Sequence, residues 1–148
     1  MNIVILTNTA TSAATAVGVI VAAISLWQAK NQSISTFEDA ISNEYRQISK
    51  SIPIAALLGG EFTPEEVNRS LREIYNYIDF TNEQIYLRQM NRIRQTTWKS
   101  WVDGIRTNME RTAIKQAWDH IKEKCPDSFH ELRKLEEQSY SGDPILWK

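Results

Sequence analysis

The first 29 residues of this 148-residue chain carry no ionisable side chain, because no Lys, Arg, Asp, Glu or His occurs before Lys30. All 17 basic and 18 acidic residues lie in the remainder. A helix needs about 20 apolar residues to cross the hydrocarbon core of a bilayer. The apolar centre, residues 13–27, ends in Trp27, and Trp followed by a cation is typical of the edge of a membrane span. The sequence therefore predicts a membrane-spanning helix over residues 3–27.

Two other interpretations of this segment stay open. Thr and Ser side chains dilute its apolar character, which also fits a buried or interfacial helix. A cleaved signal peptide is the third interpretation, although basic residues should precede its apolar run and none does. For a span, the cations Lys30, Arg46 and Lys50 on the C-terminal flank predict an N-terminus outside the plasma (inner) membrane. The rest of the chain would then be cytoplasmic.

Small residues recur every four positions in the predicted span, and apolar residues at helical spacing follow it. In lipid, close backbone approach over small residues drives the association of helices. The apolar residues after Lys30 predict an amphipathic stalk that extends this contact. We therefore expect a homo-oligomer whose interface contains Ala10, Ala14, Gly18, Ala22, Ile34, Phe37 and Ile41.

The remaining sequence predicts helices and no strands, so the fold class is all-α. Thr63 before Pro64 is a typical helix start, and Asn91 suits a left-handed position after a helix. Asp127 is expected to cap a last helix, and the residues from Ser139 onward to be loosely structured. The predicted organisation is a transmembrane anchor (1–30), a stalk (31–52), a helical domain (53–138) and a tail (139–148). Within the helical domain the predicted helices cover residues 64–90, 95–109 and 112–124.

The densest polar and aromatic run lies within the predicted helix 64–90. Four of its side chains share one helix face at a spacing of three or four residues, and a carboxylate lies beside them. One interpretation is a polar pocket, and the favoured one is a buried network that fixes helix register against Trp98 and Trp101. The candidates for this network are Tyr75, Asp79, Asn82, Glu83 and Tyr86.

No motif for catalysis, metal or cofactor binding occurs in the sequence, so we predict a non-enzymatic protein without a cofactor. Cys125 is the single cysteine, and His120 and His130 lack the further ligands of a zinc site. A net charge of −1 argues against nucleic acid as a partner. A local basic cluster suits phosphate or anionic lipid, or is a solvated helix face; it contains Arg88, Arg92, Arg94, Lys99 and Arg106.

The order of aromatic and polar residues between Ile74 and Trp118 resembles a group of small bacterial proteins of unknown function. The residues that carry the resemblance are Tyr75, Ile78, Asn82, Glu83, Gln84, Tyr86, Leu87, Arg92, Ile93, Trp98, Trp101, Gly104, Ile105, Ala113, Ala117 and Trp118. The resemblance implies one N-terminal span and a short helical cytoplasmic domain, and it implies no activity. A looser similarity of layout links the chain to small membrane accessory proteins of CRISPR-type and other phage-defence systems, some of which form pores.

These observations lead to one functional hypothesis and two alternatives. The leading hypothesis is a membrane-anchored helical module that self-associates or binds a cytosolic protein. The first alternative is an oligomeric, pore-like accessory of a phage-defence system. The second is a weak hydrolase or nuclease using Asp79, Glu83 and His120, against which the missing motifs argue.

Overall fold

A computed structural model describes the backbone of residues 2–147 and the side chains of residues 17–147. Six α-helices follow in order: α1 (Asn2–Ser51), α2 (Ile54–Leu57), α3 (Pro64–Gln89), α4 (Gln95–Met109), α5 (Thr112–Lys124) and α6 (His130–Glu137). A 3₁₀ helix covers Pro144–Leu146. Strands are absent from the described backbone, so the all-α prediction is confirmed.

The chain divides into two units, Met1–Phe37 and Glu38–Lys148. The prediction places boundaries after residues 30 and 52, whereas the division falls between these positions, inside α1. The second part of the predicted stalk therefore belongs to the larger unit. We call the described residues of that unit, 38–147, the helical bundle.

Local signals define both ends of α3. The Thr63 hydroxyl accepts from the Glu66 backbone N–H, and the Glu66 carboxylate accepts from the Thr63 N–H at 2.8 Å. At the other end Asn91 has φ 54°, and the Arg92 N–H donates to the Leu87 carbonyl at 2.9 Å. These bonds satisfy backbone groups that a helix end leaves unpaired. The Thr63 cap and the left-handed Asn91 confirm the prediction.

Helix α3 is the centre of the bundle, because it packs against α5, α6 and the 3₁₀ helix. The core contains Ile74, Ile78 and Ile85 of α3, together with Trp98, Ile114, Trp118, Leu132 and Leu135 from the other helices. Trp98 and Trp118 are almost completely buried. Burial of two indoles and many branched side chains is a large apolar contribution to folding.

The start of α6 differs from the prediction. Asp127 is exposed and does not cap α6. The residue at the N-cap position is Phe129, whose φ is 60°. The Phe129 ring packs edge-on against Tyr75 and Trp118, at centroid distances of 5.4 and 5.8 Å. A left-handed conformation is strained for an aromatic residue, and tertiary packing of its ring compensates for that strain here. Arg133 meanwhile donates to the carbonyls of Lys122, Cys125 and Ser128.

The residues after Ser139 are ordered against the bundle rather than loose. Asp143 accepts two hydrogen bonds from Arg88, at 2.8 and 2.7 Å, and Pro144 is buried. The Trp98 indole N–H donates to the Gly142 carbonyl at 3.2 Å. These contacts join the end of the chain to α3 and α4, so the prediction of a loosely structured tail is wrong.

In the part of the chain that the structure describes, no helix is both long enough and apolar enough to cross a membrane. The predicted span over residues 3–27 therefore has no support here. The side chains of residues 3–16, which supply more than half of it, lie outside the described residues.

Candidate functional site

The polar face of α3, defined by Tyr75, Asp79, Asn82, Glu83 and Tyr86, is mostly exposed. Asp79, Glu83 and both tyrosines are exposed, and only Asn82 is half-buried. The Asn82 amide donates to the Glu131 carboxylate and accepts from the Leu132 N–H, both at 3.0 Å. Asn82 thus joins α3 to the first turn of α6, whose N–H groups need partners. These contacts are of the structural kind that the favoured interpretation expects for Asn82, but the face is not the buried network that it predicts.

The opposite side of α3 forms a cleft with the end of α1 and with α4. The cleft has a volume of about 300 Å³, and no candidate from the polar face lines it. Its lining residues are Ser42, Tyr45 and Arg46 of α1, Tyr77 and Gln84 of α3, and Ser100, Trp101, Gly104 and Ile105 of α4. A concave site with a few polar groups among aromatic side chains is typical of small-molecule binding.

Two tyrosines and one buried amide organise one side of the cleft. The Asn108 amide donates to the Tyr77 hydroxyl at 3.1 Å and to the Tyr45 hydroxyl at 3.3 Å. Asn108 uses its two N–H groups in this way, so each phenol keeps its own O–H as a donor. Burial raises the pKa of Tyr77 to about 12, and the Asn108 hydrogen bond only partly offsets this. Tyr77 is therefore neutral at physiological pH.

Gln84 is the least expected residue of the cleft. Its side chain is only 5% exposed, and the structure shows no hydrogen bond to its amide from any described residue. Among the described side chains, Trp118 Nε1 is the one polar atom that is fully enclosed without a partner. The Gln84 amide is therefore not fully enclosed, and Gln84 is one of the residues that line the cleft.

Glu38 lies one helical turn before Ser42 on α1 and binds the residues at the start of α4. Its carboxylate accepts from the Arg94 N–H at 2.7 Å, from the Arg94 guanidinium at 2.6 Å and from the Thr97 hydroxyl at 3.0 Å. Burial raises the pKa of Glu38, but the hydrogen bonds from Arg94 and Thr97 outweigh it, and the pKa lies below its ordinary value. The positive end of a helix dipole also favours this charge. The sequence analysis missed this contact, because 56 residues separate the partners.

Carboxylates already pair with three members of the basic cluster. Arg88 pairs with Asp143 at 2.7 Å, Arg94 with Glu38 at 2.6 Å and Arg106 with Asp103 at 2.7 Å. The Arg88 hydrogen bonds also hold the pKa of Asp143 below its ordinary value. These ion pairs leave little of the cluster for phosphate, which favours its interpretation as structural and solvated charge.

The chain offers no metal site in the part that the structure describes. No group of three or more His, Cys, Asp or Glu side chains there could hold an ion. His120 is half-buried and His130 is exposed, and Cys125 is a free, half-buried thiol.

The candidate oligomer interface is only partly described. The side chains of Ala10 and Ala14 lie outside the described residues, whereas Gly18 and Ala22 are exposed. A Cβ atom built on Gly18 would meet nothing within 4 Å. Ile34 and Phe37 are half-buried. Ile41 is only 8% exposed, because α1 is part of the bundle at this position, and it is therefore unsuited to contact another copy.

Comparison with known proteins identifies no relative. The chain matches no protein-family model, no curated protein and no solved structure. The resemblance to small bacterial membrane proteins stays a prediction.

Proposed function

We propose that this chain is a non-enzymatic helical module that attaches to a membrane through α1 and self-associates there. The observation that carries the proposal is the exposure of every large apolar side chain between Val17 and Trp27, at fractions of 50–73%. We call residues 17–27 the apolar segment. Its large apolar side chains are Val17, Val19, Ile20, Val21, Ile24, Leu26 and Trp27.

The distribution of these side chains around the helix favours lipid as the occupant. Val19, Ile20 and Val21 are consecutive, so they point in directions about 100° apart on a helix with 3.6 residues per turn. A docking face for one partner helix would confine them to one stripe, whereas a helix that is apolar all round suits a bilayer. The 29 residues before Lys30 carry no charge, and Trp27 lies at the edge of this region.

Vesicle flotation tests the attachment. The full-length chain should float with vesicles of phosphatidylethanolamine and phosphatidylglycerol and resist extraction with carbonate. Val21→Lys should reduce flotation, because a Lys costs about 2.5–3.5 kcal/mol at the centre of a span on insertion scales and Val21 lies within the predicted span, six residues before Trp27. Leu58→Lys is the matched control, since Leu58 is 80% exposed but belongs to the bundle.

Two results would contradict the attachment. One is a parent chain that does not float with the vesicles. The other is an equal loss of flotation in Val21→Lys and Leu58→Lys, which would make general surface hydrophobicity the cause.

Self-association is tested at Gly18. Gly18→Leu should reduce assembly measured by mass photometry in detergent, because a large side chain separates helices that meet over small residues. Ala23→Leu is the matched control, since five residues along a helix place it on another face. Equal assembly of the parent and Gly18→Leu would exclude this interface. A ring of copies around an opening would instead support the pore-like alternative.

Orientation is tested with a reporter fused after Lys148. The positions of Lys30, Arg46 and Lys50 predict that a reporter active only in the cytoplasm is functional there. Activity restricted to a periplasmic reporter would reverse the proposed orientation.

A further inference from the structure

The cleft between the end of α1, α3 and α4 plays no part in membrane attachment, yet it has the composition of a ligand site. Gln84 is the central observation. Gln84 is only 5% exposed, it lines the open space, and its amide has no partner among the described residues. Because a buried polar group without a hydrogen bond is costly, such groups are retained where a ligand or ordered water completes them.

Gly104 supports the same conclusion from the opposite wall. It lies in the middle of α4, where glycine is a poor helix former. A Cβ atom at this position would meet nothing within 4 Å, so helix packing does not explain the glycine. Gly104 is exposed and lines the cleft together with Trp101 and Ile105, so this part of the wall carries no side chain.

The chemistry of the lining selects the class of ligand. The Gln84 amide offers an N–H donor next to a carbonyl acceptor, the pattern with which Gln recognises the edge of a nucleobase. Trp101 lines the cleft and supplies an aromatic surface for a planar ring, and Tyr45, whose ring also packs against Phe80 at a centroid distance of 6.5 Å, lines it as well. Arg46 is the one fully charged residue among those described as lining the cleft, and no carboxylate lies there to bind a cation.

We propose that this cleft binds the base of a small nucleoside, with the Gln84 amide bonding its polar edge. The volume of about 300 Å³ lies at the lower limit of ligand pockets and suits a one- or two-ring molecule rather than a large cofactor. The hydroxyls of Tyr45 and Tyr77, oriented by Asn108, provide further donors.

Equilibrium dialysis of the full-length chain in lipid nanodiscs tests the proposal. The probes are adenosine, guanosine, cytidine and uridine, each up to millimolar concentration. At least one should bind. Gln84→Leu should weaken its binding about tenfold or more, because a Gln amide that bonds a base edge through two hydrogen bonds contributes a factor of that size. Gly104→Leu should block binding by filling the cleft, whereas Gly104→Ala should retain most of it. Gln116→Leu, an exposed Gln on α5, is the matched control and should bind like the parent.

Thermal denaturation of the same variants separates a ligand site from a structural role. Gln84→Leu should be at least as stable as the parent, because the amide has no described partner to lose. The proposal is overturned if none of the four nucleosides binds the parent chain. It is also overturned if Gln84→Leu binds as well as Gln116→Leu, or if Gln84→Leu markedly lowers the melting temperature.

Discussion

The apolar segment and the helical bundle differ in how far similar apolar side chains are exposed. Leu26 in the segment is 73% exposed, whereas Leu132 in the bundle is completely buried. In the bundle, α3 supplies a central surface that α5, α6 and the 3₁₀ helix cover. The large apolar side chains between Val17 and Trp27 are instead 50–73% exposed. The stability of the folded chain should therefore reside in the bundle, and the contacts of the apolar segment should be made outside the chain.

Matched leucine truncations give the largest expected effect. Leu132→Ala should lower the free energy of unfolding by about 2–5 kcal/mol, because it loses buried apolar area and leaves a cavity. Leu26→Ala should change it by no more than about 0.5 kcal/mol in detergent, as expected of an exposed site. Chemical denaturation measures both. A similar loss of unfolding free energy in the two variants would show that the apolar segment packs against another part of the folded protein.

A matched pair of acid substitutions compares ion pairs within the bundle. Asp143→Ala should cost about 3 kcal/mol, because it leaves the buried Arg88 guanidinium without its carboxylate. Asp103→Ala removes the exposed pair with Arg106 and should cost less than about 1 kcal/mol. If denaturation gives equal values, Arg88 finds a replacement partner and the end of the chain contributes little to the bundle.

Asn82→Ala should have a smaller effect, about 1–3 kcal/mol, because it leaves the Leu132 N–H and the Glu131 carboxylate without their partner. Asp79→Ala, on the same helix and exposed, is its control and should be nearly neutral. Melting temperatures measure the difference. If Asn82→Ala kept its stability but lost biological activity, the polar face of α3 would have a functional rather than a structural role.

Acid should lower the stability of the helical bundle and leave membrane attachment by the apolar segment unchanged. This is the smallest of the expected effects. Glu38 and Asp143 have lowered pKa values when folded, so the unfolded chain binds more protons in acid. Their stabilisation is fully present above the unfolded carboxyl pKa of about 4 and is lost as the pH falls through the folded values. The melting temperature should therefore drop below about pH 4, and Glu38→Gln together with Asp143→Asn should flatten the drop. The apolar segment contains no carboxylate, so vesicle flotation should not change over this range.

The sequence by itself determined where α3 begins and ends, because the Thr63 capping box and the left-handed Asn91 are signals within a few residues of its termini. The predicted bounds of α4 and α5 are also confirmed, although no side chain caps the start of either helix. Caps are local because a helix end needs partners for its own unpaired backbone groups. The apolar positions Ile74, Ile78 and Ile85 were predictable for a related reason, since the helical period alone places them on one face.

Only the tertiary structure decided which polar residues matter. Asn82 contacts α6 across 49 residues, and Glu38 contacts α4 across 56, so neither partner is visible in a local pattern. The burial of Ile41 and Gln84 depends on which helices cover them. The Phe129 backbone is likewise held by contacts of its ring with Tyr75 and Trp118 rather than by its own preference. Spacing along a helix shows which residues share a face. Which part of the molecule that face contacts is decided by packing between elements that are distant in sequence.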